Sequence, residues 1–240
     1  MNFFNRFFYQ LFLALLLTFI IQSFFFQPFR IPSSSMRPGL QISDYLIVSK
    51  LSYGYNNSSF SFMFNQIHFF DCSIFSFFPK RGDVIVFILP KNRKLHYIKR
   101  VVGLPEETLQ IKNGNIYINK IPLIRKIKSL NYNGNYRKNI YQEFLPNGKS
   151  YLVYNYIQQK DRDIFFDYND SPIYKIPNNH FFLLGDNRNN SIDSRFVDQI
   201  GYISRHHVLG KAQFVFFTFD FSFFNFFENF FYSRVFRFID

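Results

Sequence analysis

From Phe7 to Phe29 the chain runs without a charged residue, and most positions are Phe, Leu or Ile. At about 1.5 Å per residue, about 20 residues of helix cross a hydrocarbon core of about 30 Å. The pattern therefore predicts one N-terminal transmembrane helix, placed at residues 7–27 behind a short tail at 1–6. A cleaved leader would have a shorter apolar region ending in small residues. This run ends instead in Phe24, Phe25, Phe26 and Gln27-Pro28, which predicts a retained anchor; Pro28 and Pro32 then suit a helix end followed by extended chain. Arg6 and Arg30 flank the run evenly, so charge does not set its orientation.

Beyond the anchor the pattern changes to short β-branched and aromatic runs bounded by turn formers. Tyr45–Val48, Asp83–Leu89, His180–Leu184 and Ala212–Phe219 read as strands. Leu109–Lys112 and Ile116–Ile118 flank Asn113-Gly114, the favoured two-residue hairpin turn. No segment after the anchor sustains a helical period. The stretch from about Pro122 to Asp170 is rich in Asn, Lys and Tyr and reads as an accessory β-region. The expected fold is mainly β: an antiparallel β-sheet core at 28–105 and 180–240, with an inserted accessory β-region at 106–179. Two Phe-rich stretches, Phe60–Phe78 and Phe214–Phe238, contain polar interruptions that disfavour further spans. They are expected to lie against the domain or the bilayer surface.

Composition adds limits. The 240 residues carry a formal net charge of +12, but the basic residues are scattered and no nucleic-acid-binding module accompanies them. Attraction to anionic lipid head groups is the expected consequence, and nucleic acid is not an expected partner. The single cysteine, Cys72, excludes an intramolecular disulfide. His206 and His207 are adjacent rather than at ligand spacing, so neither metal nor another cofactor is expected.

Candidate chemistry comes from Ser35, just outside the anchor, and Lys99, set among Tyr97, Ile98, Val101 and Val102. A serine hydroxyl needs a base to become a nucleophile, and a neutral lysine can be that base. Free lysine titrates near 10.4, so it must be buried among apolar groups to lose its proton at neutral pH. On a strand, Arg100 would face the opposite side. A His-based triad is the rival, but no serine sits in a Gly-x-Ser-x-Gly turn.

Four segments in order carry a resemblance. Ile31-Pro32-Ser33-Ser34-Ser35-Met36-Arg37-Pro38 resembles the serine box of bacterial type I signal peptidases. Lys80-Arg81-Gly82-Asp83-Val84-Ile85-Val86-Phe87 is similar to the following box, and Tyr97-Ile98-Lys99-Arg100-Val101-Val102-Gly103-Leu104-Pro105 to the lysine box. Gly185-Asp186-Asn187-Arg188-Asn189-Asn190-Ser191-Ile192-Asp193-Ser194-Arg195 resembles the late signature. Gly39 and Asn189 depart from the common Thr and Asp, and the chain has no Trp.

The resemblance implies a membrane-bound serine endopeptidase that removes signal peptides from exported preproteins after small residues at −1 and −3. Ser35 would be the nucleophile and Lys99 its general base. The Ser35 amide and Ser33 hydroxyl would form the oxyanion hole, and Ser191 would orient the lysine amine. Asp193 and Arg195 would brace the loop, Met36 would seat the serine turn, Gly185 would allow close approach to the lysine, and Asp186 would support the site. Its implied partners are signal peptides, the lipid bilayer and a nearby secretion translocon. Its implied place is the bacterial plasma membrane, single-pass, with the catalytic domain extracytoplasmic. A Ser-Lys self-cleaving regulator and a non-catalytic membrane-anchored β-scaffold are the alternatives.

Overall fold

The computed structural model describes residues 3–55, 77–133, 136–157, 170–218 and 236–239. It opens with α1 (Phe3–Ile20), continued through a wider helical turn at Ile21–Phe25. The 23 residues from Phe3 to Phe25 form one helix long and apolar enough to cross a membrane, with a mean hydropathy of 1.9. It starts four residues before the expected anchor, taking in Arg6, and Phe26 and Gln27 already belong to β1 (Phe26–Arg30). Pro28 is tolerated there because β1 lies at a sheet edge, paired only with β2 (Asp44–Ser49).

The remaining described chain is mainly antiparallel β. β3 (Val84–Leu89), β4 (Asn92–Gly103), β12 (His180–Leu184), β13 (Ile203–Ser204), β14 (Val208–Thr218) and β15 (Arg237–Phe238) complete an eight-stranded sheet with β1 and β2. Its order is β1-β2-β14-β3-β4-β12-β13, with β15 on β14, so strands from the two ends of the sequence alternate. All six residues of β3 are buried, as its unbroken Val-Ile-Val-Phe-Ile-Leu run requires.

A four-stranded sheet contains β5 (Thr108–Lys112), β6 (Asn115–Ile118), β7 (Ile121–Pro122) and β11 (Tyr174–Lys175). The β5–β6 turn falls at Asn113-Gly114, both with positive φ (49° and 73°), as a primed two-residue turn requires. A three-stranded sheet is formed by β8 (Ile124–Asn133), β9 (Tyr136–Phe144) and β10 (Ser150–Ile157). Among the described residues after Phe25, helix is confined to three-residue turns at Leu51–Tyr53 and Arg205–His207.

The accessory strands share a core with the main sheet. Leu109, Ile111, Ile116, Ile118, Tyr151 and Val153 pack with Val102, Phe182 and Leu184 of β4 and β12. Most of the two Phe-rich stretches, at 56–76 and 219–235, lies outside the described residues, as do Cys72 and Gly134. Phe77 and Phe78 are exposed, and the Phe78 ring touches both Phe181 and the Arg205 guanidinium.

Candidate active site

β1 delivers the chain into the serine turn. Ile31 N–H donates to Asp44 O and Ser43 N–H to Ile31 O, which closes residues 32–42 into a loop at the sheet edge. Within it Arg37 N–H donates to Ser34 O and Leu40 N–H to Met36 O. Ile31, Met36 and Leu40 are buried against Leu46, Val84, Ala212 and Val215. These apolar plugs, Met36 among them, hold the loop down.

β4 presents the lysine. Ile85 of β3 pairs with Lys99, and alternation along the strand sends Lys99 and Arg100 to opposite faces. Lys99 is 3% exposed, and its Nζ lies 2.8 Å from Ser35 Oγ and 2.9 Å from Ile98 O. Burial pushes the Lys99 pKa down to about 8, while Asp193 and Asp186 pull it up and Arg195 lowers it. No described carboxylate forms an ion pair with it, which keeps the neutral amine within reach of neutral pH.

Arg100 on the other face is buried as well, with two parallel bonds of 2.8 Å to Asp186 and one to Gly82 O. A charge taken out of water must be paired, and this fork ties β4 to the segment after β12. That gives Asp186 its place: it binds the lysine's neighbour in sequence rather than the lysine.

The late segment wraps the serine turn. Asn187 N–H donates to Ser35 O at 3.0 Å, its side-chain amide to Ser34 O at 3.0 Å, and the Asn190 amide to Ser34 Oγ at 2.8 Å. Ser33 Oγ lies 3.3 Å from Ser35 Oγ, and the Ser35 amide makes no hydrogen bond among the described residues. Asp193 and Arg195 form a buried two-point pair at 2.8 and 2.9 Å. Burial alone would raise Asp193, but the Arg195 guanidinium and the Gly185 amide hold its carboxyl below the usual range.

Ser191 and Gly185 complete the wall of the site. Ser191 shares the cleft with Ser35 and Lys99, yet its buried Oγ has no hydrogen-bond partner; Ser35 Oγ and Ile98 O are the groups bonded to Nζ. Gly185 lies against Ser191 and the serine turn. A Cβ there would stand 2.1 Å from Ser191 Oγ and 2.7 Å from Ser35 O. The glycine therefore lets the late segment close over the serine turn.

The cleft, of about 520 Å³, is lined by Pro32, Ser33, Leu95, Tyr97, Asn189 and Ile192 beside the serine and lysine. Three apolar side chains and a line of strand backbone suit an extended peptide.

Residues 4–217 match the family described as "Signal peptidase, peptidase S26". The chain belongs to this family. It is 35% identical over 208 residues to the signal peptidase I of Rickettsia prowazekii, covering 83% of this chain and 75% of the relative. For that of Rickettsia typhi the identity is 36% over 208 residues, with the same two shares. A crystal structure of a signal peptidase I from Enterococcus faecalis is 24% identical and covers 57% of this chain and 97% of that chain. Its TM-score of 0.34 is too low to bear on the geometry above.

The departure at Gly39 has a local cause in this member of the family. A Cβ there would lie 3.2 Å from Asp186 Oδ2, so glycine leaves room for the Arg100–Asp186 fork. Asn187, Asn190 and Arg100 stand inside the boxes, where the sequence alone marks no task for them. The signal for Arg100 was its alternation with Lys99 on a strand.

Proposed function

We propose that this chain is a membrane-bound serine endopeptidase that removes signal peptides from exported preproteins with a Ser35–Lys99 dyad. The observation that carries the reading is the 2.8 Å approach of the buried Lys99 amine, which has no ion pair among the described residues, to Ser35 Oγ. An extended substrate adds as a strand beside the Tyr97-containing end of β4 and turns its scissile carbonyl toward Ser35. Neutral Lys99 takes the Ser35 proton as Oγ bonds to the carbonyl carbon. The Ser35 amide and Ser33 hydroxyl are positioned to donate to the developing oxyanion. Collapse of this intermediate breaks the C–N bond, and the lysine ammonium passes its proton to the departing amine. Water, giving its proton to the now neutral Lys99 amine, attacks the ester carbonyl; the C–Oγ bond breaks and Lys99 returns the proton to Ser35 Oγ.

In this reading α1 anchors the enzyme in the bacterial plasma membrane, with the catalytic sheets on the extracytoplasmic side near the secretion translocon. The Arg195–Asp193 and Arg100–Asp186 pairs brace the late segment around the dyad, and Ser191 walls the amine. Preprotein processing in proteoliposomes tests the reading. Ser35→Ala and Lys99→Ala should each lower turnover by at least about a thousandfold, since nucleophile and base act as a unit. Wild-type turnover in either variant overturns the dyad.

A further inference from the structure

Where the helix ends, Phe26 N–H reaches back to Ile21 O, and the carbonyls of Gln22, Ser23, Phe24 and Phe25 follow in its last turn. All of them are taken up by one short segment after β2. The Lys50 amine donates to Gln22 O and Ser23 O at 3.2 Å each. Tyr55 Oη donates to Phe24 O at 2.6 Å, and Lys50 N–H to Phe25 O at 3.0 Å. The Tyr55 ring also packs edge-on against Phe24.

Lys50 is 1% exposed. A lysine near a bilayer ordinarily snorkels, keeping its stem on apolar surface and its ammonium in water. This one instead buries its head on the negative end of the helix dipole, with no described carboxylate beside it. Burial draws its pKa down to about 8, and the neutral amine still carries two N–H donors, one for each carbonyl. Gly54 (φ 76°, ψ −178°) holds a backbone conformation essentially closed to other residues, and it turns the chain so that Tyr55 meets Phe24.

The position of this clamp gives it a consequence for catalysis. β1 pairs with β2 at all five of its residues, so the path from Phe26 to the serine turn is stiff. The joint between helix and sheet is the helix end itself. We propose that Lys50 and Tyr55 are positioning residues that close this joint, holding Ser35 at a fixed height above the bilayer so that a membrane-held substrate is cut at a set distance from its own apolar segment. The inference rests on the reading of α1 as a membrane anchor and of the substrate as a membrane-held preprotein.

The test uses the full chain in proteoliposomes, with Lys50→Met, Tyr55→Phe and the double variant. Each is assayed on preproteins carrying progressively longer spacers between apolar segment and cleavage site, and on a short soluble peptide. The double variant should hydrolyse the peptide within about twofold of wild type, lose about tenfold on the best-spaced preprotein, and show a flattened dependence on spacer length. Lys50→Arg, which keeps the donors, should restore the steep dependence. A spacer profile as steep as wild type, or peptide hydrolysis falling in parallel with preprotein processing, overturns the proposal. Failure of the wild type itself to process any preprotein overturns the proposed function instead. Spin labels at Leu17→Cys and Lys120→Cys, in a Cys72→Ser background, read the joint without activity. Their distance distribution should broaden in the double variant, and an unchanged distribution rejects the clamp.

Discussion

At the scale of single residues, the decisive quantity is the proton on Lys99. The site holds its pKa near 8 chiefly by burial, against the pull of Asp193 and Asp186. If Lys99 is the base, as proposed, it acts only when neutral, so kcat/KM for preprotein should rise with pH and level off above about 8. Below that it should fall about tenfold per unit as the ammonium forms. A profile flat from pH 6 to 9 would remove Lys99 as the base. The identities of Ser35 and Lys99 were legible because each stands in a box of near neighbours with a recognisable pattern. Ser191 was legible as a member of the cleft, but its hydrogen bonding was not, because that depends on rotamer and on a glycine six residues earlier. Lys50 looked like any lysine at a strand end; its partners lie 27 and 28 residues away in the anchor.

At the scale of elements, local signals were read well and pairings between distant elements were not. Asn113-Gly114 marked its hairpin because the turn's φ requirement is local. The buried cluster joining β9 to the late segment left no such trace. Glu143 accepts both arms of Arg188 and the Tyr151 hydroxyl, and Arg125 stands 4.0 Å away over the Tyr141 ring. Burial alone would raise the Glu143 pKa, but Arg188 holds it below the usual carboxylate range. Glu143→Gln strands the Arg188 charge in the interior and should cost ~3–5 kcal/mol, seen as a lower denaturant midpoint at constant slope. Replacing Glu143 and Arg188 together by Met should recover part of that loss, because the Arg188 charge is no longer stranded, while Arg125 still loses the carboxylate beside it. A double variant as unstable as Glu143→Gln would mean that the cluster acts through shape rather than charge.

For the whole molecule, the sequence suggested a catalytic core with an accessory region inserted into it, and the arrangement of strands makes that division a question of mechanics. Tyr154 of β10 donates its N–H to Asp186 O and accepts from Arg188 N–H, which places the three-stranded sheet directly behind the late segment. Asp186 holds Arg100, and Asn187 holds Ser35, so the accessory sheet, through the backbone bonds of Tyr154, supports both β4 and the serine turn. Its Tyr151 and Val153 also fill the core shared with Phe182 and Leu184. A chain that joins Leu123 to Gln158, without β8–β10, would keep every catalytic residue and lose this support. Leaving the backbone groups of Asp186 and Arg188 unpaired in a partly buried place costs ~1–3 kcal/mol each, before the lost core is counted. The shortened chain should therefore bind the membrane as before yet process preprotein at least about a hundredfold more slowly, because a displacement of about 1 Å at the dyad suffices for that. Peptide hydrolysis should fall by the same factor, in contrast to the Lys50 and Tyr55 variants, which spare it. A shortened chain with wild-type peptide hydrolysis would show that β8–β10 are dispensable to the geometry of Ser35 and Lys99.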